Sequence, residues 1–474
     1  MSFSQVAAAR APTGAFIAGD DGRDFSFGEF WALSGRLAAA LLAAGAKPAD
    51  RVAVQVEKSV EAVALFYACV RAGLIFLPLN TAYTSSEISY FLGDAEPALF
   101  ITNKPVSVGV KTLTLDDKGG GTLMQLAASQ GEHFIDQPST AETLCAILYT
   151  SGTTGKSKGA MLSQGNLFSN AEALVNEWRF TSQDVLIHAL PVYHTHGLFV
   201  AMNTQFLCGG RILYRRKFDA GDVVNLIPQA TALMGVPTFY TRLLQRPELN
   251  VDLCKPMRLF ISGSAPLLAE THREFSTRTG HAILERYGMT ETNMNTSNPY
   301  HGKRKPGTVG KALPGIEVRL RDGMIEVRGP NVTRGYWRNE EKTKASFTPD
   351  GWFITGDLGA LDEDGYVVIS GRGSDLIITG GFNVYPKEIE EKIDAMAGVV
   401  ESAVIGLPHP DFGEAVTAVV AVQKGAKLEE AVIIAALRET LAAFKIPKAI
   451  HFVDELPRNT MGKVQKKILR ETYA

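Results

Sequence analysis

The chain has 474 residues, of which 45% are hydrophobic and 21% are charged, and its formal net charge is −2. The length favours two or more domains, the composition excludes a disordered or fibrous protein, and the charge balance gives no indication of a nucleic-acid partner. No apolar run approaches the roughly 18 residues of a membrane-spanning helix, and the N-terminal segment lacks the apolar core of a signal peptide. The four cysteines form no C-x-x-C pair, which favours reduced thiols. We therefore expect a cytoplasmic protein that does not bind membranes.

The first third of the chain alternates predicted helices and strands. Ser26 and Glu29 have capping-box spacing, and apolar residues then recur at helical spacing. Residues 51–57 alternate as in a strand, residues 59–73 predict a second helix, and residues 74–79 predict a buried strand. This order predicts an α/β protein with a mostly parallel sheet and helices on its faces.

The last hundred residues form a separate predicted unit. Its elements are a helix that starts at Pro386, strands at 399–406 and 415–422, and a helix at 428–444. A glycine-flanked segment at residues 371–374 precedes this unit and is a candidate joint. We therefore predict a large N-terminal domain at residues 1–371 and a small C-terminal domain at residues 372–474.

Residues 149–159, YTSGTTGKSKG, follow a predicted strand and combine glycines, hydroxyl residues and lysines. Glycines allow backbone N–H groups to approach an anion, so this composition is typical of a polyphosphate-binding loop. The segment is not a Walker A motif, because Thr150 occupies the position where that motif requires glycine. The alternative interpretation is a flexible surface loop. The candidate phosphate-binding residues are Thr150, Ser151, Gly152, Thr153, Thr154, Gly155 and Lys156.

Five further motifs follow this loop in chain order. They are YGMTE at 287–291, Gly335-Tyr336, Thr355-Gly356-Asp357, Gly371-Arg372 and PRNTMGK at 457–463. The series resembles the adenylate-forming superfamily, which includes acyl-CoA synthetases, luciferases and the adenylation domains of peptide synthetases. The resemblance covers roughly residues 20 to 470. It implies layered α/β subdomains in the N-terminal domain, a small mobile α+β C-terminal domain, and ATP, Mg²⁺ and coenzyme A as the small molecules used.

The resemblance assigns roles to individual residues. Lys463 would be the catalytic lysine, Glu291 the Mg²⁺ ligand and Thr290 a donor to a phosphate oxygen. Asp357 would accept hydrogen bonds from the ribose hydroxyls, with Arg372 beside it, although a turn-forming role for Asp357 stays open. The other nucleotide-binding candidates are Gly263, Ser264, Ala265, Glu285, Tyr287, Gly288 and Met289.

The C-terminal domain of this superfamily rotates about its joint between two half-reactions. After rotation Lys463 would leave, and Gly380, Gly381 and Phe382 would line the channel for the thiol of coenzyme A. The pivot in the superfamily is usually Asp or Lys, whereas this chain has Ser374. The chain ends about ten residues after Lys463, so we expect free coenzyme A, rather than a fused carrier domain, to be the acceptor. We expect a monomer or a weak homo-oligomer.

Two departures from the superfamily pattern concern the acid. Arg286 stands where a small residue is usual, and His196 stands where an apolar aromatic residue is more common, whereas His194 is typical. An unpaired buried guanidinium is costly, and a second carboxylate on the substrate would satisfy it. The run at residues 286–299 resembles bacterial malonyl-CoA synthetases. Malonate is therefore the expected acid, with methylmalonate second.

Several alternatives remain open at this stage. Arg286 could pair with Glu285 or another internal acid, and His196 could be a hydrogen-bonded core residue. The acid could instead be a short, medium-chain or aryl monocarboxylate. A luciferase-like oxygenase and an enzyme that loads a separate carrier protein are further hypotheses. A non-catalytic nucleotide-binding relative is disfavoured, because it would be expected to lose Lys463 or Glu291.

Overall fold

The computed structural model describes residues 2–131, 133–150, 157–379, 382–426, 428–459 and 462–474. Across these ranges the strands form sheets of nine, six, five and four strands. The elements before residue 130 are α1 (Phe3–Ala8), β1 (Ala15–Ala18), β2 (Asp24–Ser26), α2 (Phe27–Ala43), β3 (Arg51–Gln55), α3 (Val60–Arg71), β4 (Ile75–Pro78), α4 (Ser85–Ala95), β5 (Leu99–Thr102), β6 (Thr112–Thr114) and α5 (Thr122–Ala128). The predicted alternation of helix and strand in this part of the chain is confirmed.

The middle of the chain adds strands to both large sheets. Its elements are β7 (Leu144–Thr150), β8 (Lys158–Ser163), α6 (Gln164–Glu177), β9 (Val185–His188), a π-helical turn (His196–Met202), α7 (Asn203–Cys208), β10 (Arg211–Tyr214), α8 (Ala220–Leu226), a 3-10 turn (Ile227–Gln229), β11 (Ala232–Gly235), α9 (Pro237–Leu244), α10 (Val251–Cys254), β12 (Leu259–Ser262), α11 (Ala269–Thr279), β13 (Leu284–Met289) and β14 (Asn293–Ser297).

The remaining elements are β15, which joins the nine-stranded sheet, and the elements of the four-stranded sheet and the C-terminal domain. They are β15 (Lys311–Ala312), β16 (Glu317–Arg321), β17 (Met324–Arg328), α12 (Glu340–Ala345), β18 (Phe353–Leu361), β19 (Val367–Arg372), a 3-10 turn (Gly373–Asp375), β20 (Ile377–Thr379), β21 (Phe382–Val384), α13 (Pro386–Asp394), β22 (Val399–His409), β23 (Gly413–Val422), α14 (Glu430–Arg438), a 3-10 turn (Ala443–Lys445), β24 (Ala449–Val453) and α15 (Lys466–Tyr473).

The six-stranded sheet has the strand order β6-β5-β3-β4-β7-β8 and is parallel except at β8. The predicted strand–helix–strand unit is β3, α3 and β4, and Val52 pairs in parallel with Phe76. Helix α2 begins as predicted, because the Ser26 hydroxyl accepts from the Glu29 backbone N–H while the Glu29 carboxylate accepts from the Ser26 N–H. Helix α3 is buried along its whole length, which explains its continuous apolar sequence.

The nine-stranded sheet has the order β15-β14-β13-β12-β11-β9-β10-β1-β2. Its strands from β13 to β1 are parallel, and β2, β14 and β15 pair antiparallel at its edges. The antiparallel four-stranded sheet β16-β17-β18-β19 follows in the chain. The predicted large α/β N-terminal domain is confirmed, whereas its boundary at residue 371 stays a prediction.

The C-terminal domain is α+β, as predicted. Pro386 is the first residue of α13, and the apolar face of this helix packs Ile389 and Ile393 into the domain core. Strands β22 and β23 pair antiparallel along most of their length, and β24 pairs in parallel with β23. The strands predicted at 399–406 and 415–422 therefore exist, each with slightly wider bounds.

The helix predicted over residues 428–444 is too long. Helix α14 ends at Arg438, and a separate 3-10 turn covers Ala443–Lys445. Apolar residues continue at helical spacing beyond Arg438, but the ring of Phe444 stacks on Phe382, with centroids 4.6 Å apart. This tertiary contact overrides the local periodicity, as commonly happens near helix ends.

Two further expectations concern the whole molecule. The four cysteines, all within the described ranges, are buried and unpaired, as predicted. None of the helices that the structure describes combines the length and the apolar character needed to cross a membrane.

Candidate active site

The predicted site residues meet where parallel strands of the nine-stranded sheet end. Strand β12 leads into Gly263 and Ser264, β13 carries residues 286–289, and β9 leads into the turn that holds His194 and His196. Ligands of open α/β sheets bind at the carboxyl ends of the strands, because loops from neighbouring strands meet there. Residues separated by about ninety positions in sequence thus lie at one edge of one sheet.

We call Tyr287, Asp357 and Arg372 the nucleotide half of the site. The Tyr287 hydroxyl donates to Oδ2 of Asp357 at 2.5 Å, and Nε of Arg372 lies 2.7 Å from Oδ1 of the same carboxylate. Asp357 and Arg372 face each other across β18 and β19. Burial raises the pKa of Asp357, and Arg372 and the Tyr287 hydroxyl oppose this rise. Both carboxylate oxygens therefore have donors even without a ligand.

Glu291 connects three of the motifs. Its carboxylate is buried, and Oε1 accepts from the Thr150 hydroxyl at 3.1 Å and from the Tyr336 hydroxyl at 3.0 Å. Thr150 is the last residue of β7, where the predicted phosphate loop begins, and residues 151–156 of that loop lie outside the described residues. The sequence motif included Tyr336 but gave it no role; the structure makes it a partner of Glu291.

The other predicted nucleotide-binding residues border these groups. Gly288 and Met289 end β13, Thr290 follows them, and Ala265 lies half-buried after β12. Only glycine fits at position 288, because a Cβ there would lie 1.8 Å from the carbonyl oxygen of Asn293. The close approach of β13 and β14 thus explains the glycine of the YGMTE motif.

Glu285 lies on the face of β13 opposite to Arg286, because successive strand residues point in opposite directions. Its side chain is buried and Oε1 has no partner. Burial raises the pKa of Glu285 to about 8, and the nearby Lys387 opposes this rise. Neither the geometry nor the ion pairs of the described residues support a Glu285–Arg286 pair.

We call Arg286, His194, His196 and Ser264 the acyl half of the site. Arg286 is 3% exposed, and its Nε and Nη2 atoms have no hydrogen-bond partner. The guanidinium lies over Gly263, where a Cβ would come within 2.3 Å of its Cζ atom. Burial lowers the pKa of Arg286 to about 9, and among the described residues no carboxylate forms an ion pair with it. An unpaired charge in this position favours an anionic ligand.

The two histidines of the acyl half are neutral near pH 7. Burial, and after it the charges of Lys463 and Arg286, lower the pKa of His194 to about 3. The pKa of His196 is also well below its ordinary value, first through burial and then through Arg286. Nδ1 of His196 lies 3.3 Å from the Ser264 hydroxyl, whereas its Nε2 has no partner. His196 is therefore only half satisfied as a core residue.

Sequence reasoning missed two hydroxyl groups in this region. Ser262 ends β12 and Thr195 lies between the two histidines, and each has a buried hydroxyl without a partner. Ser264 has a left-handed backbone, with φ of 71°, which is uncommon for a residue with a side chain. The sequence signal for Ser262 was a polar residue at the end of an otherwise apolar strand, LFIS at 259–262, which indicates a side chain at the site edge of the sheet.

Lys463 lies on a short hairpin of the C-terminal domain. Its backbone N–H donates to Oδ1 of Asn459 at 2.9 Å, and the Asn459 N–H donates back to the Lys463 carbonyl at 2.9 Å. The Arg458 guanidinium donates to the Gly462 carbonyl on the same hairpin. Residues 460 and 461 of the PRNTMGK motif lie outside the described residues.

The ammonium group of Lys463 interacts electrostatically with both halves of the site. Although Lys463 is an exposed residue, desolvation by the surrounding protein and the charge of Arg372 lower its pKa, while Asp357 and Glu291 oppose this, and Arg286 contributes a further lowering. Lys463 in turn lowers the pKa of His194. A residue that is distant in sequence thus interacts with charged groups at the strand ends, and its catalytic role stays a prediction.

The predicted coenzyme A channel is only partly described. Phe382 is 55% exposed at the start of β21, and Gly380 and Gly381 lie outside the described residues. Ser374, at the predicted pivot, lies in the 3-10 turn that joins β19 to the C-terminal domain.

Comparison with known proteins places the chain in a family. The family model described as AMP-binding enzyme matches residues 3–337, and the model of its C-terminal domain matches residues 388–463. ATP-bound MatB from Rhodopseudomonas palustris is 57% identical, with a TM-score of 0.97, over 100% of this chain and 99% of that one. The apo form of that protein is 56% identical, with a TM-score of 0.85 over the same shares of the two chains. Malonate–CoA ligase of Arabidopsis thaliana is 33% identical over 90% of this chain and 79% of that protein. The chain belongs to the AMP-binding enzyme family.

Proposed function

We propose that this chain is an AMP-forming acid–thiol ligase that joins malonate to coenzyme A through an acyl-adenylate, with methylmalonate as the second candidate acid. The observation that carries the choice of acid is the buried, unpaired guanidinium of Arg286. The names of relatives agree, since the similar proteins of Arabidopsis thaliana and of the mouse are malonate–CoA ligases.

In the first half-reaction a carboxylate oxygen of malonate attacks the α-phosphorus of ATP, and pyrophosphate leaves. Both reactants are anions, so the protein must neutralise charge and fix an in-line geometry. Lys463 would be suited to this because its ammonium interacts electrostatically with Asp357 in the nucleotide half and with Arg286 in the acyl half. The second carboxylate of malonate would bind Arg286, which leaves the first one free to react.

The Asp357 side chain would position the ribose of ATP. Its oxygens hold Tyr287 and Arg372 already, but each carboxylate oxygen can accept more than one hydrogen bond. The flat ring of Tyr287 would offer a stacking face for adenine. Thr150 would begin the phosphate-binding loop, and its bond to Glu291 connects that loop to the YGMTE motif.

The donor set fits a magnesium ion that arrives with ATP. No cluster of three or more His, Cys, Asp or Glu able to hold a metal occurs in the described parts of the chain. Magnesium bound to nucleotide phosphates needs only one or two protein carboxylates, and Glu291 supplies one. Bound there, the ion would neutralise charge on the phosphates. The hydroxyls of Thr150 and Tyr336 hold this carboxylate in place.

The arrangement of the domains supports assignment of this structure to the first half-reaction. At nearly the same sequence identity, the TM-score is 0.97 for the ATP-bound relative and 0.85 for the apo relative. Lys463 also faces the site here. In the second half-reaction the thiol sulfur of coenzyme A would attack the acyl carbonyl carbon, AMP would leave, and the thiol proton would pass to solvent or a base.

The test is release of AMP and pyrophosphate with malonate, methylmalonate, succinate, acetate, butyrate, benzoate and octanoate. We expect malonate to be the best substrate of the wild-type chain. Arg286→Met should lower kcat/KM for malonate about 30-fold or more, because loss of one partner of a buried charge pair costs about 2 kcal/mol or more. Preference for a monocarboxylate, with little effect of Arg286→Met, would overturn the malonate assignment and leave the ligase class intact.

Arg304→Met is the matched control for loss of a partly buried arginine. Arg304 donates to the carbonyls of Pro299, Ala282 and Tyr300, away from the acyl half. We expect this variant to be less stable but to keep the substrate preference of the wild type. A loss of malonate preference in both variants would indicate a general structural effect.

Cellular location and oligomeric state stay predictions. A cytoplasmic location is supported by the four free, buried cysteines, whereas the similar mouse protein is named as mitochondrial.

A further inference from the structure

Lys58 is a buried lysine that the proposed chemistry does not use. It follows β3 and is 8% exposed. Its Nζ lies 2.9 Å from Nδ1 of His188, and it donates to the His188 carbonyl at 2.9 Å and to the Arg215 carbonyl at 2.7 Å. The ammonium also lies 4.3 Å from the ring centre of Tyr214. Among the described residues no carboxylate forms an ion pair with it.

The contacts on the two sides of the ring fix the tautomer of His188. Burial lowers the pKa of Lys58 well below its ordinary value, so the tautomer is read from the Gly197 carbonyl, which can only accept: Nε2 must carry the ring hydrogen, and Nδ1 accepts from Lys58. That Nε2 lies 2.9 Å from the Gly197 carbonyl oxygen and donates to it. Burial and the Lys58 charge lower the pKa of His188 to about 3, so the ring stays neutral. Lys58 thereby supports the hydrogen bond on the far side of the imidazole.

Gly197 closes the turn that carries His194 and His196. It lies at the beginning of the π-helical turn, and a Cβ at position 197 would lie 2.1 Å from the Pro191 carbonyl oxygen. The Leu198 N–H donates to the His194 carbonyl at 2.9 Å. π-helical segments are rare and occur frequently at functional sites. The hydrogen bond from His188 therefore anchors Gly197, the residue that directly follows His196, at the beginning of this π-helical turn.

The position of Lys58 in the fold explains why such a link is useful. Lys58 follows β3, a strand of the six-stranded sheet. His188 is the last residue of β9 and Arg215 directly follows β10, and both of these strands belong to the nine-stranded sheet. The ammonium thus connects two sheets at the edge where the acyl half forms. A buried charge without a counter-ion is destabilising, so packing alone gives no reason for a lysine here.

We propose that Lys58 is a positioning residue for the acid substrate, acting through the His188 imidazole and the Gly197 carbonyl to hold His194 and His196 against Arg286. This inference rests on the proposed acyl half of the site. It predicts an effect on binding of the acid that does not extend to the nucleotide half, because none of these contacts reaches Tyr287, Asp357 or Arg372.

The experiment compares malonate and ATP kinetics in wild type, Lys58→Met and His188→Leu. Met keeps the length of lysine without its donors, and Leu removes both ring nitrogens. We expect KM for malonate to rise about fivefold or more in both variants, while kcat and KM for ATP stay within about twofold. His188→Gln keeps one donor and one acceptor, so it should raise KM for malonate less than His188→Leu does. The comparison of these two variants tests the proposal even if Lys58→Met does not fold.

Tyr214→Phe is the matched control, since it removes only the hydroxyl that donates to the Ser59 carbonyl at 3.0 Å beside Lys58. We expect its kinetics to match the wild type. Equal changes in the constants for malonate and ATP, or an unchanged KM for malonate in a folded Lys58→Met chain, would overturn the proposal. If the wild type itself does not use malonate, the proposed function fails instead, and the two failures are distinguished by that first measurement.

Discussion

The nucleotide half and the acyl half of the site treat buried charge in opposite ways. In the nucleotide half, Asp357 has a donor on each carboxylate oxygen, one from Tyr287 and one from Arg372. In the acyl half, Arg286 is at least as deeply buried, yet two of its nitrogen atoms have no partner. Arg286 and Tyr287 are neighbours on β13, and both of them and Asp357 are buried, so the difference does not arise from exposure to solvent.

This contrast indicates how a shared chemistry is combined with a particular acid. The nucleotide half is complete before any ligand binds, which suits a reactant common to the whole family. The acyl half keeps an unsatisfied cation, and under the proposed function a dicarboxylate that pairs with it would gain binding free energy that a monocarboxylate cannot gain. The following changes test the contrast, from the largest expected effect to the smallest.

Lys463→Ala should have the largest effect, because Lys463 faces both halves. We expect adenylation, measured as malonate-dependent pyrophosphate release, to fall about 10²- to 10³-fold, as for removal of other preorganised charges. The control is Lys467→Ala, since that side chain is 78% exposed and pairs only with Glu471 one helical turn away. A fall of less than about tenfold for Lys463→Ala would contradict its placement at the reacting groups.

Tyr287→Phe and Arg286→Met should change stability in opposite directions. Loss of the Tyr287 hydroxyl leaves one oxygen of the buried Asp357 without its donor and should lower the free energy of unfolding by about 1–3 kcal/mol. Arg286→Met removes an unpaired buried charge and should raise the stability of the ligand-free protein. Denaturant unfolding without substrates measures both. Destabilisation by Arg286→Met would mean that the guanidinium is satisfied within the protein.

Gly263→Ala should disturb the acyl half alone. The new methyl group would lie 2.3 Å from Cζ of Arg286, so the guanidinium must shift at a cost of about 1–3 kcal/mol. We expect KM for malonate to rise and KM for ATP to stay unchanged in steady-state assays. Gly93→Ala on α4 is the control, because a Cβ there meets no atom within 4 Å.

Glu285→Gln should have the smallest effect on activity, and its effect on stability should depend on pH. Burial raises the pKa of Glu285 from its ordinary value of 4.5 to about 8, so the unfolded chain loses this proton first. The contribution of Glu285 to stability is therefore fully present below pH 4.5 and is lost as the pH rises towards 8. Relative to wild type, the Gln variant should gain stability between pH 5 and pH 8, roughly the interval between the two pKa values. A difference that stays constant with pH would contradict the raised pKa of the buried Glu285 carboxyl.

The sequence predicted the fold well; the roles of the site residues stay predictions, and the hydrogen-bonding state of their side chains could be read only from the structure. Regular periodicity and capping residues gave β3, α2, α3 and α13, because these signals are local. The 3-10 turn at Ala443–Lys445 was missed, since it depends on the contact between Phe444 and Phe382. The motifs named Arg286 and Glu291, yet only the structure shows that one is unpaired and the other is held by Tyr336.

The placement of Gly263 beneath Arg286 limits how substrate preference can be transferred between relatives. An arginine introduced at the position of Arg286 would need an uncovered backbone below it, because any side chain at position 263 would occupy the space of the guanidinium. The two positions lie on neighbouring strands and are 23 residues apart in the chain. To give a monocarboxylate ligase activity on dicarboxylates, both positions should therefore be exchanged together. A library that varies one position at a time would miss the combination, because neither substitution alone creates the site.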